Sequence, residues 1–184
     1  MDNKVFISYK HEKPWVEMAG KFRIKLSNYA ADWKLDYFID SEQIAAGEPW
    51  RASVDAALAS CTHMLCLLCD TYWDSPECRR ELDQVLQRRA DGDSVAPYFV
   101  LAEDMNPAYL RFQADGKPVG DVSKVGDFQF LGPIDDAQRL QSLQSLGSDG
   151  WSKAVEKMLG RLKPRLREFA NRPCGPRRAG TAGR

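Results

Sequence analysis

The chain has 184 residues, 43% hydrophobic and 28% charged, with 26 Lys and Arg against 26 Asp and Glu and a formal net charge of zero. This composition excludes a disordered chain and predicts one soluble globular domain with a short remainder. No run approaches the ~18 consecutive apolar residues of a membrane span. The first residues also lack the basic, apolar and cleavage regions of a signal peptide, so a cytoplasmic location is expected.

Val5-Phe6-Ile7-Ser8-Tyr9 is a β-rich run and predicts a buried first strand. Trp15, Met18, Ala19, Phe22, Leu26 and Tyr29 then recur at helical spacing, after a Pro14 that suits a first helical turn. Tyr37-Phe38-Ile39 predicts a second strand, and residues 41–49, which carry Gly47 and Pro49, a loop. Trp50, Val54, Ala57 and Leu58 mark a second helix. Met64-Leu65-Cys66-Leu67-Leu68-Cys69 is apolar throughout, as a central parallel strand covered on both faces must be.

Ser75-Pro76 offers a capping hydroxyl and a proline at the first helical position, ahead of a helix whose apolar face is Cys78, Leu82, Val85 and Leu86. Residues 95–101 read as a fourth strand, and residues 128–131 as a weak fifth within a Gly-, Asp- and Ser-rich stretch. Trp151, Ala154, Val155, Met158, Leu159, Leu162, Leu166 and Phe169 form a last helical stripe, which Pro164 is expected to kink or end. Alternating strands and helices predict an α/β domain with a parallel sheet, whose ligands bind at the carboxyl ends of the strands.

The zero net charge is unevenly distributed. Residues 161–184 hold eight Lys and Arg and one Glu, so this end carries +7 and residues 1–160 carry −7. Residues 171–184 are mostly Pro, Gly, Ala and Arg without apolar periodicity, and read as a linker or tail joining the domain, residues 1–170, to a sensor region or partner. The acidic body argues against direct nucleic-acid binding by the domain.

Several signatures are absent: there is no G-x-G-x-x-G after the first strand, no P-loop, no G-x-S-x-G and no H-E-x-x-H. Dehydrogenases, P-loop NTPases and α/β-hydrolases recede accordingly. The five cysteines, four of them between positions 61 and 78, do not form a disulfide framework in a chain of this length. Cys66 and Cys69 have metal-ligand spacing, but no second pair follows, so they read as core residues and no metal is expected. His63 precedes an apolar run and reads as structural.

Three segments remain that would meet at one edge of such a sheet: Ser8-Tyr9-Lys10-His11, the loop of residues 40–50, and Asp74-Ser75-Pro76-Glu77-Cys78-Arg79-Arg80-Glu81-Leu82. In these segments the sequence resembles the TIR (Toll/interleukin-1 receptor) domain family, over about residues 4–170. Phe6-Ile7-Ser8-Tyr9 matches its first box, Phe38-Ile39-Asp40 with Ile44, Gly47 and Trp50 its second strand and BB loop, and Ser75, Cys78 and Glu81-Leu82 its S-x-x-C-x-x-E-L run. The resemblance implies a flavodoxin-like fold, five parallel strands in order 2-1-3-4-5 flanked by helices. It also implies either of two functions. Bacterial, plant and axonal members cleave NAD between nicotinamide and ribose, whereas animal adaptor members only assemble.

The enzymatic members use one glutamate in the third helix, and the matching position is Glu81. The chemistry agrees: nicotinamide leaves NAD as a neutral base, so the barrier lies in an oxocarbenium-like ribose that one carboxylate can stabilise. Lys10 and His11 follow the first box, where similar enzymes set basic groups against the substrate. Tyr9, Ser75 and Cys78 belong to the matched boxes that flank the same pocket. Trp50 or Trp73 is a candidate to stack on a ring, and Ala45 stands where a related enzyme has an acidic contact. Glu77 departs from the family, many members of which carry an aromatic residue there.

The leading expectation is therefore a TIR NAD glycohydrolase, with NAD as substrate and no cofactor. Self-association with other copies would activate it, as an effector in bacterial immunity or stress signalling. A scaffold for homotypic TIR contact and a virulence factor acting on host TIR signalling are the alternatives.

Overall fold

A computed structural model describes residues 3–33, 35–39, 50–103 and 142–170. The expected loop of residues 41–49 with Ala45, the fifth strand at 128–131 and the tail of 171–184 lie outside the described residues. The described chain runs β1 (Asn3–Ser8), α1 (Trp15–Trp33), β2 (Leu35–Phe38), α2 (Trp50–Ser60), β3 (His63–Leu68), α3 (Pro76–Ala90), β4 (Ala96–Leu101) and α4 (Ser148–Ala170). Each predicted strand and helix within these residues is present, with its ends within four positions of those expected.

Four strands form a parallel sheet in the order β2-β1-β3-β4, the described part of the flavodoxin-like order. All six residues of β3 are buried, as its unbroken apolar run requires of a strand covered on both faces. Phe6 of β1 pairs in register with Phe38 of β2, and their rings stack at 5.4 Å. The connection from β1 to β2 steps one way along the sheet, and those to β3 and β4 step the other way. Right-handed crossovers therefore set α1 on one face and α2 and α3 on the opposite face. α4 packs on α1, where Phe22 and Trp151 meet edge to face at 5.7 Å.

Two expectations at helix ends are corrected. α1 starts at Trp15, not at Pro14; the Pro14 carbonyl accepts from the Met18 amide at 3.1 Å, so this proline stands just outside the helix as its cap. α4 neither breaks nor ends at Pro164. The proline is on the exposed side, while Leu162 and Leu166 around it are buried. Burial of the apolar stripe outweighs the lost hydrogen bond. Among the described residues, no helix is long and apolar enough to cross a membrane.

Candidate active site

The order of the strands reverses between β1 and β3, and in open parallel sheets this reversal leaves a crevice at the carboxyl ends of the strands. A cavity of about 370 Å³ lies here. One wall is the segment leaving β1: Tyr9, Lys10, His11 and Glu12. The other is the start of α3, with Ser75, Glu77, Cys78 and Glu81, and Trp50 at the start of α2 completes the lining.

Local sequence sets the α3 wall. Ser75 is in extended conformation and its hydroxyl accepts from the Cys78 amide at 3.3 Å, while Pro76 occupies the first helical position, where no amide donor is needed. From this start the helical repeat turns Cys78, Glu81, Leu82 and Val85 inward. Glu81 is thereby only 3% exposed, although its neighbour Arg80 is partly exposed and pairs with Asp55 of α2.

A buried carboxylate needs donors. The hydroxyl of Ser8, the last residue of β1, donates to Glu81 Oε2 at 2.7 Å. The Tyr72 hydroxyl lies 2.8 Å from the same Ser8 oxygen. Cys66, the register partner of Ser8 in the sheet, sits beside both groups. Burial, with the Glu81 charge adding to it, pushes the Cys66 thiol and the Tyr72 phenol well above their ordinary ranges. Burial also pushes Cys78 up to about 12, and its thiol donates to the Tyr9 carbonyl at 3.3 Å.

Lys10 is half-buried and His11 exposed, the latter with its ring 4.8 Å from that of Tyr9. Tyr9 itself is buried. Thus Tyr9, Lys10, His11, Trp50, Ser75, Cys78 and Glu81 come together around one cavity. Trp73 does not join them: it is 5% exposed, in the core, edge-on to Tyr72 at 5.2 Å. Its aromatic ring is thus spent on packing.

Sequence reasoning missed three contributors. Ser8 was legible only as part of a box, and Tyr72 carried no local signal. Glu12 enters because Thr71 Oγ1 donates to its carboxylate at 3.0 Å, tying the segment after β1 to the turn before α3. Among the described residues no group of three or more His, Cys, Asp or Glu is arranged to hold a metal.

The arrangement is thus a buried carboxylate that accepts from the Ser8 hydroxyl, itself in contact with Tyr72, in the wall of a cavity at the sheet's switch point. The family model of the TIR domain matches residues 5–128, which span every one of these site residues. The chain belongs to the TIR domain family. Among solved structures, the TIR domains of the activated Roq1 resistosome directly recognizing the pathogen effector XopQ align at 16% identity and a TM-score of 0.58, covering 88% of this chain and 99% of that one. At this identity the likeness is one of fold. A conserved protein from Enterococcus faecalis V583 aligns at 13% identity and a TM-score of 0.44, covering 90% of this chain and 99% of that one. No curated protein matches the sequence.

Proposed function

We propose that this TIR domain is an NAD glycohydrolase in which Glu81 is the catalytic carboxylate, releasing nicotinamide with ADP-ribose or its cyclic form. The observation that carries this reading is the Glu81 carboxylate, 3% exposed yet lining a cavity of about 370 Å³. That volume is near the lower end of small-molecule sites, ~300–1,000 Å³, and suits the nicotinamide and ribose end of a dinucleotide better than the whole.

The chemistry asks little of the protein beyond electrostatics. The nicotinamide of NAD is cationic and departs neutral, so no general acid is required. As the bond to ribose lengthens, positive charge moves onto the sugar, and a fixed carboxylate in a low-dielectric wall stabilises it. Glu81, oriented by Ser8, supplies that charge; Lys10, across the cavity, is a partner for a phosphate, and Trp50 a platform for a ring.

Activation by self-association is part of the proposal, with a further copy or a partner beyond residue 170 bringing domains together in a bacterial immune or stress response. The fold shared with TIR domains of an activated resistosome supports it. The test is incubation of artificially clustered wild type and Glu81→Ala with NAD, followed by chromatography for nicotinamide. Nicotinamide release by the wild type and none by Glu81→Ala is expected. Intact NAD in the presence of co-assembling wild type would instead establish a scaffold, and undiminished cleavage by Glu81→Ala would remove this mechanism.

A further inference from the structure

The hydroxyl pair beside Glu81 has a direction. A serine hydroxyl carries one proton and two lone pairs. Ser8 uses its proton on Glu81 Oε2, at 2.7 Å, so in the 2.8 Å contact with Tyr72 the phenol must be the donor and Ser8 the acceptor. The three groups form a one-way chain, Tyr72 to Ser8 to Glu81, drawn from the turn after β3, the end of β1 and the middle of α3. Tyr72 and Ser8 are 0% and 1% exposed. Neither is therefore a surface hydroxyl that water would satisfy equally well.

A buried phenol is costly unless its hydroxyl has a task, and phenylalanine would pack in the same space. Donation from Tyr72 does two things to Ser8. It fixes the hydroxyl rotor, so that the proton points at Glu81, and it polarises the bond, so that the donation strengthens. Both act on the carboxylate through Ser8. We infer that Tyr72 is a positioning residue for Glu81, acting through Ser8 to hold the carboxylate oxygen where the ribose charge develops. This rests on the glycohydrolase reading and names a part of the site that lies outside the cavity lining.

The test is a kinetic double-mutant cycle on clustered protein, with Tyr72→Phe, Ser8→Ala and the double variant, each checked for folding by its thermal transition. Tyr72→Phe is expected to lower kcat by about tenfold with KM within about twofold, because misdirecting a catalytic group costs the transition state and not ground-state binding. Ser8→Ala should lower kcat further, and the double variant should match Ser8→Ala within about twofold, since Tyr72 has no route to Glu81 once Ser8 is gone. A folded Tyr72→Phe with wild-type kcat overturns the inference, as do losses that multiply in the double variant. An inactive wild type overturns the glycohydrolase reading and this role with it, an outcome distinct from both.

Discussion

The Cys78 thiol on α3 donates to the Tyr9 carbonyl just past β1, at 3.3 Å, and so joins the two walls of the cavity. This contact makes the thiol structural. Burial holds Cys78 at about 12 and Cys69 at about 11, and pushes Cys61 and Cys66 up as well. At pH 8 the thiolate fraction of Cys78 is about a thousandfold below that of an ordinary thiol. Iodoacetamide labelling read by peptide mass mapping should leave Cys61, Cys66, Cys69 and Cys78 unmodified in folded protein and modify all four after denaturation. Rapid labelling of Cys78 in the folded state would contradict the packing described.

Ser75 caps the helix that carries Glu81. Ser75→Ala should cost about 1 kcal/mol by releasing the Cys78 amide. For a chain of this size that lowers Tm by about 2–4 °C. Ser75→Asp, which keeps a capping acceptor, should recover most of it in a thermal melt.

Arg88 ties α3 to the end of α2. Its Nη1 donates to the Leu58 carbonyl at 2.5 Å and the Cys61 carbonyl at 3.0 Å, while Nε pairs with Asp93 at 2.9 Å. The carbonyls at the C-terminal end of α2 are thus capped by a side chain from another helix. Arg88→Ala should destabilise by about 1–3 kcal/mol. Arg88→Lys should fail to restore it, because one ammonium cannot reproduce the planar fork. Urea unfolding of the three proteins measures both effects.

His63 predicts a pH dependence. It is 1% exposed, its Nδ1 lies 2.8 Å from Thr62 Oγ1, and its ring stacks on Tyr98 at 5.9 Å. Burial lowers its pKa from 6.5 to about 4. Between these values the unfolded chain binds the proton and the folded protein does not. Stability from this group is therefore complete above pH 6.5 and falls as the pH drops toward 4, by at most about 3 kcal/mol. His63→Phe, which keeps a stacking ring without a titrating group, should flatten the Tm profile in this window. A profile as steep as the wild type's would assign the acid sensitivity to other groups.

Local pattern was enough to read the strands and helices of the described residues. The apolar run at 64–69 could only be a central strand, and Ser75-Pro76 could only open a helix, because each reflects what the backbone does within a few residues. The family boxes likewise brought Glu81 and its cavity neighbours forward. Trp73, by contrast, carried the same aromatic promise as Trp50 and lies in the core. Nothing within a few residues of either tryptophan distinguishes them.

Pro164 shows the same division from the side of stability: propensity alone ends the helix, while burial of Leu162 and Leu166 against the rest of the domain carries it on. The contacts that orient Glu81 are of another kind again. Ser8 and Tyr72 stand 73 and 64 positions from their partners, Glu81 and Ser8. Their meeting depends on the reversal of strand order beside β1 and on the hand of the crossovers, which no local spacing records. The amino-acid sequence by itself determined which elements form and that they make a parallel α/β domain, and its resemblance to the family singled out Glu81 as the candidate carboxylate. Only the tertiary structure decided what holds that carboxylate, because hydrogen bonds between distant segments exist only once the sheet has brought those segments together.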